Sequence, residues 1–146
     1  MRRATAAVLG AAALALPSVN AWAAATAEKA TTKTKVVTAT KSFTGAAVQA
    51  GRWGDLEVTI VVRKTATTNL TTKKTTVKRK ITAVKVPVYP NHTDRSIFIN
   101  QQALPILIQE TIQAQSSAVN MVSGASDTSD GFQQSLQSAI LKARAW

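Results

Sequence analysis

Leu56, Val58, Ile60 and Val62 occupy every second position of residues 56–62. That period puts all four on one face of a β-strand, so the stretch reads as a half-buried strand. It runs into residues 63–80, a tract of Thr, Lys and Arg with seven positive charges and no acid. Residues 81–89 then return to a strand pattern. Ile81, Ala83 and Lys85 are expected on one side, and Thr82, Val84, Val86 and Val88 on the other. Pro87 points to an edge position or a bulge there. Two such strands on either side of a polar tract make an extended hairpin. The β-rich segment around Phe43 adds a third antiparallel strand, and Ala50-Gly51-Arg52-Trp53-Gly54 reads as a turn.

The pattern changes period in the second half. Ala103, Leu104, Leu107, Ile108, Thr111 and Ile112 repeat at helical spacing and form one apolar stripe. Asn100 is the expected N-cap, with Pro105 early enough in the helix to lose little hydrogen bonding. Phe132, Leu136, Ala139 and Ile140 form a second stripe, with Lys142 and Arg144 near the negative end of that helix. The expected fold class is therefore α+β: a small antiparallel sheet with an extended hairpin, packed against two amphipathic helices.

The N-terminus carries an export pattern. Arg2 and Arg3 precede an uncharged apolar run over 4–16, Pro17 ends it, and Ala21-Trp22-Ala23 is a small-x-small cleavage site. The run is short for a membrane span. Residues 1–23 are read as a signal peptide, with cleavage after Ala25 a close second choice. Residues 24–34 are read as a flexible Ala/Thr/Lys linker, and 35–146 as the domain, with its basic hairpin extension at 63–80. The expected location is secreted, periplasmic or otherwise in the cell envelope.

Charge and composition narrow the function. The chain has 18 basic and 7 acidic residues, a net charge of +11; without Arg2 and Arg3 the excess is about +9. Such an excess favours acidic partners. The simpler reading of 63–80 is a solvated ribbon whose lysines discourage edge-to-edge pairing. The sharper one is a docking surface for an anionic cell-envelope polymer. Nucleic acid is not expected as a partner, because few aromatics interleave with the basic residues. The chain has no cysteine, and His92 is its one histidine, which excludes thiolate and His-cluster metal sites. The acids are scattered and no catalytic triad or acid–base pair is visible, so the chain reads as a carrier more than an enzyme.

Residues 119–131, Val-Asn-Met-Val-Ser-Gly-Ala-Ser-Asp-Thr-Ser-Asp-Gly, carry the chemistry. They join the two helical segments with small residues and hydroxyls. Ser126, Asp127, Thr128 and Ser129 stand where a helix starts, and helix N-termini favour phosphate. Taken alone, the segment would serve equally well as a small-residue turn with Ser and Asp capping a helix.

Ser123-Gly124-Ala125-Ser126-Asp127-Thr128-Ser129 resembles the Ser-Gly-Ala-Thr-x-Thr-Ser signature of the FMN-binding domain family. That family includes small secreted flavoproteins and the flavin-carrying subunits of sodium-pumping NADH:quinone reductases and Rnf complexes. The residues that follow, through Ser135-Leu136-Gln137-Ser138-Ala139, are also similar to the family's, as are Phe43-Thr44-Gly45, the strand 81–86 and the string Arg95-Ser96-x-x-Ile99-Asn100-x-x-Ala103-Leu104-Pro105. The resemblance implies FMN as cofactor, joined through its phosphate to Ser126 by a flavin transferase. It also implies electron exchange with a membrane oxidoreductase or another extracytoplasmic redox partner. Asn120, Val122, Ser123, Gly124, Ala125, Asp127, Thr128 and Ser129 would surround the nucleotide. Trp53, Tyr89 and Met121 are candidates for an apolar wall against the flavin ring, though core packing explains each as well. Two positions depart from the signature: serine replaces the usual threonine at 126, and Asn120 stands where the transferase motif has aspartate. These leave open whether the FMN is covalent.

Overall fold

The structure is a computed structural model that describes residues 33–146. The expected signal peptide at 1–23, and all but the last two residues of the expected linker, lie outside the described residues. The elements run β1 (Thr34–Thr44), β2 (Val48–Gln49), β3 (Asp55–Asn69), β4 (Thr75–Val88), α1 (Asp94–Ala114) and α2 (Ser126–Arg144). The fold is α+β, with a four-stranded antiparallel sheet and two helices, as the two periodicities predict. Two compact units are distinguished. The larger comprises Val36–Ala66 and Thr76–Trp146; the smaller holds Thr67–Thr75 and, among the described residues, 33–35.

In the larger unit β3 is the hub, since β1, β2 and β4 all pair with it. Leu56, Val58, Ile60 and Val62 are buried along one face of β3, at 0–2% exposure. Phe132, Leu136, Ala139 and Ile140 of α2 and Leu104 and Leu107 of α1 complete the same core. Full burial of a side chain the size of Leu or Phe contributes about 1.5–3 kcal/mol, so these stripes hold the layers together.

Polar contacts set the seating of α2. The Gly45 N–H donates to Val58 O at 2.8 Å, where β1 gives way to the short β2, which pairs Val48 with Leu56. Around that change of strand, hydroxyls from α2 take up main-chain donors. Ser135 Oγ accepts from the Val58 N–H at 2.9 Å, and Ser138 Oγ accepts from the Ala46 N–H at 3.2 Å. A Cβ on Gly45 would lie 2.0 Å from Ser135 O, so the helix backbone approaches the chain there as only glycine permits.

Three sequence expectations are corrected. Helix α1 starts at Asp94, capped by Thr93, whose Oγ1 accepts from the Ser96 N–H at 3.1 Å. Asn100 is thus not a cap but a buried residue inside the helix, and Pro105 lies well inside the helix rather than near its start. Ile81 and Val84 were expected on opposite faces, yet both are buried in the core. Gln115, at the left-handed end of α1, clamps the first of them: its Oε1 accepts from the Ile81 N–H at 2.7 Å and its Nε2 donates to Ile81 O at 3.0 Å.

In the smaller unit, Thr67–Thr75 closes the β3–β4 hairpin. Asn69 Oδ1 accepts from the N–H groups of Thr71 and Thr72, and the Asn69 N–H donates to Lys74 O at 2.9 Å. Lys73 holds φ at +60°, the left-handed region, which costs a non-glycine residue about 1–2 kcal/mol. Lys73→Gly removes that strain and is expected to slow amide exchange at Asn69 about threefold, measured by hydrogen exchange under native conditions. Unchanged or faster exchange would mean that the added chain freedom of glycine outweighs the relieved strain.

Candidate functional site

The segment between the helices is held at several points before it reaches Ser126. Glu110 Oε2 accepts from the Asn120 N–H at 2.8 Å, and Gln133 Nε2 donates to Val119 O at 2.6 Å. The chain then turns back: the Ala125 N–H donates to Val122 O at 3.0 Å, and Gly124 takes φ +81°. That bond and that φ fit a type II turn, whose third position favours glycine. Nothing lies within 4 Å of the place a Gly124 side chain would occupy, so the outer face of the turn is open.

Helix α2 begins one residue past the turn. Its N-cap, Ala125, offers no side-chain acceptor. The Ser129 N–H already donates to Ala125 O at 2.9 Å, while the N–H groups of Ser126, Asp127 and Thr128 have no acceptor among the described residues. The Ser129 N–H is therefore not available for a phosphate.

The hydroxyls divide sharply. Thr128 is buried and its Oγ1 donates to Asn100 Oδ1 at 2.7 Å. Ser129 is fully buried; its Oγ donates to Ala125 O at 2.8 Å and accepts from the Val122 N–H at 3.0 Å. Ser123 and Ser126 are exposed. Of the hydroxyls over 126–129, Ser126 alone faces solvent.

Beside this turn lies an open groove of about 400 Å³. Val122, Ser123, Gly124 and Ala125 form one wall, and α1 supplies Arg95, Phe98, Ile99 and Gln102 on the other. Phe98 is 62% exposed, which for an aromatic residue on a packed helix leaves most of its ring unclaimed by the core. Arg95 is the one charged side chain in the lining. Its volume falls within the usual 300–1,000 Å³ of small-molecule sites.

Sequence reasoning missed the α1 wall. Arg95, Ile99 and Asn100 belong to the string that marks the resemblance, but at Asn100 helix capping was preferred to a flavin contact, and Arg95 and Ile99 were given no role. Phe98 stands off the buried stripe, and an apolar residue outside the stripe was the available signal.

The other expected residues lie elsewhere. Trp53 lines a smaller cavity of about 30 Å³ with Arg95, Ile99, Asn100 and Thr128. Its Nε1 donates to Asp127 Oδ2 at 3.1 Å, and the Arg52 guanidinium sits 5.3 Å from its ring centre. Tyr89 is half-buried against the hydrophobic core and does not line the groove. Met121 is 56% exposed and also outside the lining. Asn120 shares a separate hollow with Glu110. Among the described residues there is no cluster of three or more metal-ligating side chains, and no helix is long and apolar enough to cross a membrane.

Compared with known proteins, the chain matches no family model and no curated protein.

Proposed function

We propose that the chain is an exported FMN-binding protein that carries FMN as a phosphoester on Ser126 and serves as an extracytoplasmic electron carrier. The observation that carries this reading is the placement of Ser126. Its hydroxyl is exposed at the first residue of an uncapped helix, beside a groove of about 400 Å³ with one aromatic wall.

The residues fit the group. The unpaired N–H groups of Ser126, Asp127 and Thr128 and the positive end of α2 favour an anion at the ester position. Arg95 adds a cation that can hydrogen-bond phosphate or a flavin carbonyl. Phe98 and Ile99 offer an apolar surface to the ring, and the open side of Gly124 leaves room for a transferase to reach the hydroxyl. When bound, FMN supplies the electron-transfer chemistry, while the chain positions it and limits its contact with water. A covalent link suits an exported protein, because a lost flavin is not easily replaced outside the cell.

Co-expression with a flavin transferase tests the reading. The expected product is yellow, retains flavin through acid precipitation, and is heavier by one FMN less one water in its intact mass. Ser126→Ala should give colourless, unmodified protein of unchanged thermal stability, since that side chain is exposed. Covalent flavin retained by the variant would move the attachment elsewhere, with Ser123, the other exposed hydroxyl in the segment 123–129, the first to test. Colourless wild-type protein in a host that flavinylates a control substrate would sink the proposal and favour the polyanion-binding reading of the basic hairpin.

A further inference from the structure

A second cavity, of about 130 Å³, shares no lining residue with the groove beside Ser126. Its apolar lining is the buried Ile60, Val62, Ile81 and Ile140, and the exposed Arg79 and Arg144 stand at its edge; Lys80, also in the lining, lies between Arg79 and Ile81 in β4, so its side chain turns to the other sheet face. No aspartate or glutamate lines it. The one neutral polar side chain present, Gln115, has its amide committed to the main chain of Ile81 through both its oxygen and its nitrogen. Arg79 donates one N–H to the main-chain oxygen of Trp146 at 2.7 Å, and a guanidinium has further donors to offer. A guest in this cavity would thus meet hydrocarbon inside and positive charge at the mouth.

We propose that this cavity binds the chain of a single-chain alkyl carboxylate, with the carboxylate held at the rim by Arg79 and Arg144. The volume compares with an engineered apolar cavity of about 150 Å³ that takes up benzene, so about six carbons can enter. The planar guanidinium groups match a carboxylate in a fork geometry, and burial of the alkyl segment supplies the attraction that a bare anion lacks. A longer chain places its remainder outside the cavity. This site does not depend on FMN, and the ligand class differs from a polymeric anion because the apolar floor is part of the recognition.

The test is titration of the protein with sodium hexanoate, followed by NMR shifts of the Ile60, Ile81 and Ile140 methyl groups. Hexanoate should give saturable shifts with a Kd on the order of 1 mM, a small-ligand affinity. Acetate, which lacks the tail, and hexylammonium, which reverses the charge, should each bind at least tenfold more weakly. Arg144→Glu, at an exposed position in the last turn of α2, should weaken hexanoate at least fivefold while lowering the melting temperature by only a few degrees, the cost of the lost helix-dipole interaction. Ala143→Leu should fill the cavity and remove the shifts; if that variant does not fold, Arg144→Glu alone decides. Equal responses to hexanoate and hexylammonium would overturn the proposal. So would hexanoate shifts confined to Ile99 in the other groove, or an affinity indifferent to Arg144→Glu.

Discussion

Gly45→Ala is expected to destabilise the domain by at least about 3 kcal/mol, lowering its melting temperature by roughly 10–20 °C, while Gly131→Ala raises it. The opposite signs follow from what each new methyl group meets. At Gly45 the Cβ would stand 2.0 Å from Ser135 O and 2.7 Å from Ser135 Oγ. The first contact is with helix backbone, which no side-chain rotation relieves, so α2 must lift from the sheet. Lifting it also strains the bond from the Val58 N–H to Ser135 Oγ, at the junction of β1 and β2. At Gly131 the nearest atoms are those of Ala50, at 3.5 Å and beyond, an ordinary contact. There alanine fills space and gains about 0.5–1 kcal/mol of helix propensity. Thermal melts of the two variants beside wild type check both signs. A Gly45→Ala melt within 2 °C or so of wild type would mean that α2 does not sit where the structure has it.

The core was legible because its elements keep one period for their whole buried length. The 56–62 alternation and the spacing of Phe132, Leu136, Ala139 and Ile140 each point to one face, and those faces meet in the core. Position 81 resisted because an amide from another element, Gln115, takes over Ile81's hydrogen bonds, and strand alternation alone carries no trace of that. The start of α1 was misplaced for a local reason. Asn100 is a strong capping type and stands before the apolar stripe, whereas the true cap, Thr93, precedes a turn whose apolar residues Ile97, Phe98 and Ile99 show no stripe. The candidate site was half legible. The small-residue segment 119–131 leading into a helix was read from sequence, while the facing wall of Arg95, Phe98, Ile99 and Gln102 exists only once α1 packs beside it. Of the hydroxyls, residue type could not separate the free Ser126 from the committed Thr128 and Ser129; burial and partners do.

Asn100→Ala should cost about 3 kcal/mol, and it should loosen the groove as well as the fold. Asn100 is 2% exposed, and its amide spans two elements: Nδ2 donates to Pro90 O at 2.7 Å and Oδ1 accepts from Thr128 Oγ1 at 2.7 Å. The first bond ties α1 to the end of the chain leaving β4; the second ties α1 to the opening turn of α2, two residues from Ser126. Removing the amide leaves a carbonyl and a hydroxyl buried without partners, in a region where no buried side-chain polar atom now lacks one. Thr128→Val removes only the second bond and is expected to cost about 1–2 kcal/mol. Because the two side chains share that bond, the double variant should be less destabilised than the sum of the single ones by about 1 kcal/mol, measured by urea denaturation. Asn100→Asp separates charge from shape. To donate to Pro90 O the new carboxyl must stay protonated, so its folded pKa is raised above its unfolded value near 4. Relative to wild type at the same pH, the variant's stability is then greatest below about pH 4 and falls as pH rises toward the folded pKa, the reverse of a salt-bridged aspartate. If the Asp variant instead gains stability over that range, Asn100 is not donating to Pro90 O. Additive single and double variants would likewise show that Thr128 and Asn100 are not partners, and that α1 does not position the hydroxyl-bearing end of α2.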